Sequence, residues 1–414
     1  MRSRWILGLA LLAGQAGAAT IHVDQASGSD ANDGASPVSA VATVTRGLQL
    51  AGTGDTIAIG PGTYAAASGE TLPLVVPGAM TLRGAGAART ILDGALASQV
   101  MQVQPTAGPV VLRDLAVVRG MASIGGGVQF LDTAAVLVER CRFEGNDGAI
   151  GGGLEFQLDS VPSTDVVVRD SAFIRNVASI GGALQFQVNA SGNHRLEVIR
   201  SRFSSNGGVG AGIRFQRNGS GTHTLVVDRS RFERSSGDVI SAGPLADTLA
   251  GSVSSSLFAY NAGAAVAVGT AAVHVVNATM VGNAAGVVGG PGTRVDNSIL
   301  WFNGDELVGS GGSVANSIVE GHDLDGHVDA GGVSAADPLL RSTFRPAAPS
   351  PAIDRGAHAP VAALGLALDL AGGPREVDLL GLGFPAGYVD IGAFEASTDL
   401  LFDDGFEAAP VPPT

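Results

Sequence analysis

Ser171-Ala172-Phe173-Ile174-Arg175-Asn176 and Ser201-Arg202-Phe203-Ser204-Ser205-Asn206 share one plan: a small residue, an apolar residue two places on, and a short polar residue three places further. The plan recurs along the chain. Its apolar column runs Phe143, Phe173, Phe203, Phe232, Phe258, Met280, Leu300, Val319, at spacings of 30, 30, 29, 26, 22, 20 and 19. The small column is Cys141, Ser171, Ser201, Ser230, Ser256, Ala278, Ser298, Ser317, and the polar column is Asn146, Asn176, Asn206, Ser235, Asn261, Asn283, Asn303, His322. Three columns held in register predict stacked repeats.

Short β-branched runs precede each apolar member, as at Val136 to Val138 and Val166 to Val168, so the units are strands. A second strand follows the polar position after glycines: Val128 and Phe130, Leu154 and Phe156, Leu184 and Phe186, Ile213 and Phe215 alternate with polar residues. That period of two buries one face. Leucine-rich repeats share an asparagine column but predict recurrent leucines and a steadier period, and propeller blades exceed the shortest units. The architecture that remains is all-β: a parallel β-helix, one coil per unit. Stacked Phe, Met and Leu fill its interior, and the asparagines form a turn ladder. The polar inserts Asp159 to Asp165, Asn189 to Arg195 and Asn218 to Thr224 lengthen the middle coils and are expected to bulge from turns.

Residues 1–19 read as a secretory signal: Arg2 and Arg4, an apolar stretch from Trp5 to Ala13, then small residues to Ala19. No other stretch is apolar enough to span a bilayer. The expected location is secreted, extracellular or at the cell surface. Cys141 is the sole cysteine and is expected to be a buried, inert thiol. All 24 basic residues are arginines, against 38 acids, and the net charge of −14 argues against nucleic acid and anionic membranes as partners.

Gly28 to Gly34 and Gly54 to Tyr64, with an amphipathic Ala42 to Ala51 between them, resemble the start of bacterial right-handed β-helix proteins of the pectate-lyase-like superfamily. That resemblance implies a single-stranded right-handed parallel β-helix with a short helix capping the open end of the first coil. Asp337-Pro338-Leu339-Leu340, Ser350 to Gly356, Gly372-Gly373-Pro374-Arg375 and Val389 to Glu395 resemble the choice-of-anchor Q domain of exported β-helix proteins. The expected organisation is a signal at 1–19, a cap and first coils at 20–95, repeats at 96–335, the choice-of-anchor Q like module at 336–396 and an acidic, Pro-rich tail at 397–414. In the tail, Leu400 to Glu407 stands where the family carries a surface-sorting signal, and is a candidate sorting tag.

Outward positions of the second strand form a stripe: Gln129, Glu155, Gln185 and Arg214, with Gln157, Gln187 and Gln216 two residues on. These side chains are the candidate ligand-binding set, since a polysaccharide or cell-envelope glycan needs many directional donors and acceptors. A solvated sheet face is the plainer reading. The superfamily implies calcium-dependent lyase or carboxylate-pair hydrolase chemistry, for which Glu155 and Arg214 are the candidate catalytic residues. One carboxylate is a poor site for a hard cation. A non-catalytic structural and binding module is therefore the leading reading, and a polysaccharide lyase or glycoside hydrolase the alternative. Asp24, Asp30, Asn32 and Asp33 are the candidate calcium ligands, with Asx turns the competing account. His194 and His223 fall in corresponding inserts, where a metal pair competes with the plainer reading of exposed loop residues.

Overall fold

A computed structural model describes residues 18–243, 249–378 and 388–396. The expected signal falls almost entirely outside these residues, and the tail at 397–414 wholly so.

The repeats coil as a parallel β-helix. One coil runs through Thr133–Glu139, Arg142–Glu144, Asp147–Ile150 and Leu154–Leu158, and the next begins at Ser163–Arg169. Each strand pairs in parallel with its equivalent one coil away, and the pairings link into sheets of 22, 11 and four strands. The phenylalanine column is in register throughout: Phe143 opposes Phe173, then Phe203, Phe232, Phe258, Met280, Leu300 and Val319 follow in turn. Ring centroids in its Phe143-to-Phe258 part are 4.6 to 4.9 Å apart and the planes lie within 15° of parallel. The strand spacing sets that separation, and each buried ring removes apolar surface worth roughly 1.5–3 kcal/mol from water. A second column, Phe130, Phe156, Phe186 and Phe215, fills the opposite wall.

The small and polar columns hold the turns. Ser171 Oγ accepts from the Cys141 N–H at 3.1 Å, and the same bond recurs at Ser201, Ser230 and Ser256. Cys141 is fully enclosed in that column, and burial pushes its thiol up to about 12. Asn146 Nδ2 donates to Asn176 Oδ1 at 2.8 Å and to the Val117 carbonyl. The first coils are closed by helix α1 (Val44–Leu50), capped by Thr43 as its hydroxyl accepts from the Arg46 N–H. Helix α2 (His358–Leu364) belongs to the C-terminal segment. No described helix is long and apolar enough to cross a membrane.

Two expectations about the middle coils need correction. The inserts are turns only in their first part, 159–162, 189–192 and 218–222; Ser163–Arg169, Asn193–Ile199 and His223–Asp228 are strands that begin inside them, with Thr164, His194 and His223 in register. His194 and His223 are accordingly buried in the interior, their rings 5.5 Å apart and 16° from parallel. An inward position at the start of a strand explains this, since a one-residue change of phase alternates core with solvent. Desolvation lowers both imidazoles, His223 to about 4.

The C-terminal segment folds back along the repeats. Arg375, wholly buried, donates to Glu395 Oε1 at 2.9 Å, to the Gly392 and Ala393 carbonyls, and to Ser255 Oγ on the solenoid. Asn277 and Asn297 receive the rest of the segment through Asp390, Gly392 and Ala357. The motif residues scattered from Asp354 to Glu395 thus meet in one polar core.

Candidate functional site

The amide row rests on strands Met101–Val103, Val128–Leu131, Leu154–Leu158, Leu184–Val188, Ile213–Arg217 and Ile240–Ala242. Register places Gln102, Gln129, Glu155, Gln185, Arg214 and Ser241 on consecutive coils. Gln157, Gln187 and Gln216 form a parallel row. The stripe read from the sequence is therefore real, and it extends to Gln102 and Ser241 at its two ends. Gln102 precedes the first clear repeat and Ser241 has a short side chain, so neither stood out in the pattern.

The stripe is not an open face. Gln129, Glu155 and Gln185 are 7%, 1% and 0% exposed. A fourth strand per coil, at Met121–Ile124, Asp147–Ile150, Val177–Ile180 and Gly207–Val209, makes a small outer sheet whose following glycines fold over the outward side chains. Gly151, at φ +65°, lies so close that a Cβ there would stand 2.6 Å from Glu155 Cβ. Only a glycine permits that approach. Short Gly- and Ala-rich segments such as Asp147-Gly148-Ala149-Ile150 read as turns, which is why this cover was missed.

Within the cover the amides bond to one another. Gln102 Nε2 donates to Gln129 Oε1 at 2.9 Å, Gln129 Nε2 to Gln157 Oε1 at 3.1 Å, and Gln157 Nε2 to Asp159 Oδ2 at 2.7 Å. Asn189 and Asn218 continue the line beyond Asp159. Glu155 interrupts it. Its Oε2 and the Oε1 of Gln185 are buried without a hydrogen-bond partner. Burial, and to a lesser degree the Asp159 carboxylate, push the Glu155 carboxyl well above the usual carboxylate range. Such a shift favours the neutral acid, which can donate.

Glu155 and Arg214 do not come together. Gln185 stands between them, so two strand spacings, about 9–10 Å, separate their positions. Arg214 donates instead to Ser241 Oγ and the Ala242 carbonyl, and desolvation lowers its guanidinium below the usual range. Gln157, Gln187 and Gln216 remain half-buried and reach solvent.

In the N-terminal loop each side chain is turned on its own backbone. Asp24 Oδ1 accepts from the Ala26 and Ser27 amides, Asp30 from Ala42, Thr43 and the Thr43 hydroxyl, and Asp33 from Ala35, while Asn32 donates to the Ala40 carbonyl. Among the described residues no group of three or more His, Cys, Asp or Glu side chains is placed to hold a metal ion.

Residues 26–120 match the family described as Protein of unknown function (DUF1565). The match covers the cap and first coils. A search of the curated proteins finds no match. Among solved structures the chain is similar to a rhamnogalacturonan lyase at 15% identity over 76% of this chain and 87% of that one, with a TM-score of 0.43. It is also similar to the catalytic unit of a GH87 α-1,3-glucanase from Streptomyces thermodiastaticus strain HF3-3, at 14% identity over 78% and 69% with a TM-score of 0.32. A pectin methylesterase from carrot gives 11% identity over 78% and 92%, and 0.30. The β-helix itself is read from the strand register described above.

Proposed function

We propose that this chain is an exported, extracellular or cell-surface β-helix protein acting as a non-catalytic structural and binding module, with the half-buried row Gln157, Gln187 and Gln216 contacting carbohydrate. The observation that supports it is the separation of Glu155 from Arg214, with Glu155 enclosed and the half-buried Arg214 already bonded to Ser241 and Ala242. Lyase and hydrolase chemistry needs acid and base on either side of one bond. A row of amides at strand spacing instead offers repeated donors and acceptors to a polymer lying along the axis. The C-terminal segment fits this reading as a choice-of-anchor Q like module fastened to the repeats.

One observation favours an enzyme: Glu155 is buried with an unpartnered oxygen and its carboxyl is raised well above the usual range, as a general acid requires. The test is a glycan panel with the full chain, with and without calcium, scoring binding together with new reducing ends and unsaturated products. Binding without product, weakened in Gln157→Ala/Gln187→Ala, supports the proposal. Product that disappears in Glu155→Gln or Arg214→Ala replaces it with the enzyme reading.

A further inference from the structure

The turn that follows the phenylalanine wall is left-handed in coil after coil, with φ of +52° at Arg175, +57° at Ser205, +57° at Tyr260, +69° at Gly282 and +56° at Phe302. The fold asks of this position only that it tolerate such a backbone, and glycine, serine and arginine all serve. Tyr260 and Phe302 are bulkier than the turn requires, and the two residues are 58% and 68% exposed. Bulky residues are uncommon in this conformation, so the choice calls for a reason beyond the turn.

The surroundings supply one. A Cβ on Gly282 would stand 2.7 Å from Tyr260 Cδ1, so the absent side chain of the intervening coil is what lets the Tyr260 ring lie against the turn. Phe344 approaches from the C-terminal segment, its ring 5.8 Å from Tyr260 at 55°, and Trp301 meets Phe302 at 5.8 Å and 66°. Trp301 also packs, with Leu340, on a small core cluster of Ile299, Ile318, Ala352 and Ile391, which fixes the floor. These rings line a cleft of about 430 Å³, whose other wall carries Asp337 and Arg341. Asp337 Oδ1 accepts from the Leu339 N–H and holds that wall's turn.

Among the described residues the exposed aromatic rings are Tyr260, Phe302 and Tyr388, and two of the three meet here, beside the sole described tryptophan. Exposed apolar surface rimmed by charge marks a binding site. A lipid chain or an apolar helix would leave the carboxylate and guanidinium facing hydrocarbon, which is costly. A pyranose has the matching anatomy, with a flat C–H face for the rings and an edge of hydroxyls that both donate and accept. The volume lies within the range of about 300–1,000 Å³ usual for small-ligand clefts. We infer that the cleft between the Tyr260–Phe302 turns and residues 337–344 is a saccharide-binding site, with a sugar ring stacked on Tyr260 and Phe302 and its hydroxyls directed to Asp337 and Arg341. This site is separate from the amide row and stands or falls independently of it.

Tryptophan emission reads the site directly. The full chain is titrated to millimolar concentration with cellohexaose, xylohexaose, mannohexaose, chitohexaose and trigalacturonate, and Trp301→Phe assigns the signal. The expected result is a saturable change with at least one probe, weakened roughly three- to tenfold by Tyr260→Ala or Phe302→Ala and retained in Tyr260→Phe and Phe302→Tyr. Gln157→Ala/Gln187→Ala leaves this signal unchanged. No saturable change with any probe, or an undiminished one in Tyr260→Ala/Phe302→Ala, overturns the inference. So does a signal that follows protein concentration instead of saccharide, which would mean a second copy fills the cleft.

Discussion

The asparagine ladder and the glutamine row climb the same solenoid one coil per step, and the second, like the first, is enclosed by protein from Gln129 to Gln185. In the first, Asn146, Asn176 and Asn206 are identical, and the Asn146 and Asn176 amide nitrogens each serve the oxygen of the next coil and a main-chain carbonyl, while that of Asn206, which faces Ser235, serves the Phe173 carbonyl. In the second, a carboxyl at Glu155 and a guanidinium at Arg214 replace amides, and the pattern of donors and acceptors fails there, leaving Glu155 Oε2 and Gln185 Oε1 unpartnered. A ladder of one residue type satisfies itself. A mixed ladder leaves buried polar atoms that cost stability, about 1–3 kcal/mol each, and remain available for chemistry or binding.

Breaking the satisfied ladder gives the largest effect. Asn176→Ala strips bonds from Asn146, Asn206 and the Phe143 carbonyl at once and is expected to cost about 3 kcal/mol or more in chemical denaturation. Glu155→Gln sharpens the contrast with the opposite sign. Folding raises this carboxyl's pKa, so its contribution to stability is whole below the ordinary carboxylate range and is lost as pH rises through the raised value. Thermal melts of Glu155→Gln should match the parent at pH 4 and exceed it at pH 8, by about 1–3 kcal/mol. A parent that melts higher at pH 8 would mean that the carboxylate has a partner. Smallest is Gln187→Ala, whose side chain is half-buried and makes one long bond to Asn189, with an expected change below about 0.5 kcal/mol.

The stacked histidines test a third arrangement. Folding lowers His223 from 6.5 to about 4, so the stability tied to its neutral form is present above pH 6.5 and is lost as pH falls toward 4. The next residue in that column is Leu249. His194→Leu/His223→Leu should flatten the fall in melting temperature between pH 6.5 and pH 4. An unchanged slope would trace acid sensitivity to other groups.

What the sequence disclosed follows from how these ladders are built. Phe143 to Val319, the serines and the asparagines recur because each coil must present the same side chain at the same point of the turn, and repetition is visible without coordinates. The stripe was legible for the same reason. Its burial was not, because the cover over Glu155 and Gln185 is made of main chain, in segments of glycine and alanine that carry no periodic signal. His194 and His223 were misplaced because a polar residue at the start of a strand looks like loop until the register is known. The aromatic cleft escaped because its rings come from alternate coils and from a segment some 40 residues beyond Phe302, a juxtaposition that only folding creates.

Arg375 adds a matter of timing. Every coil contacts its neighbour across only 19 to 30 residues, so the stack can lengthen step by step as chain becomes available. The bond from Arg375 to Ser255 spans 120 residues and cannot form until the C-terminal segment arrives. A solenoid is otherwise indifferent to where it stops. Arg375, with the bonds from Asn277 to Asp390 and Gly392, ties the middle of the stack to a segment that arrives after the repeats.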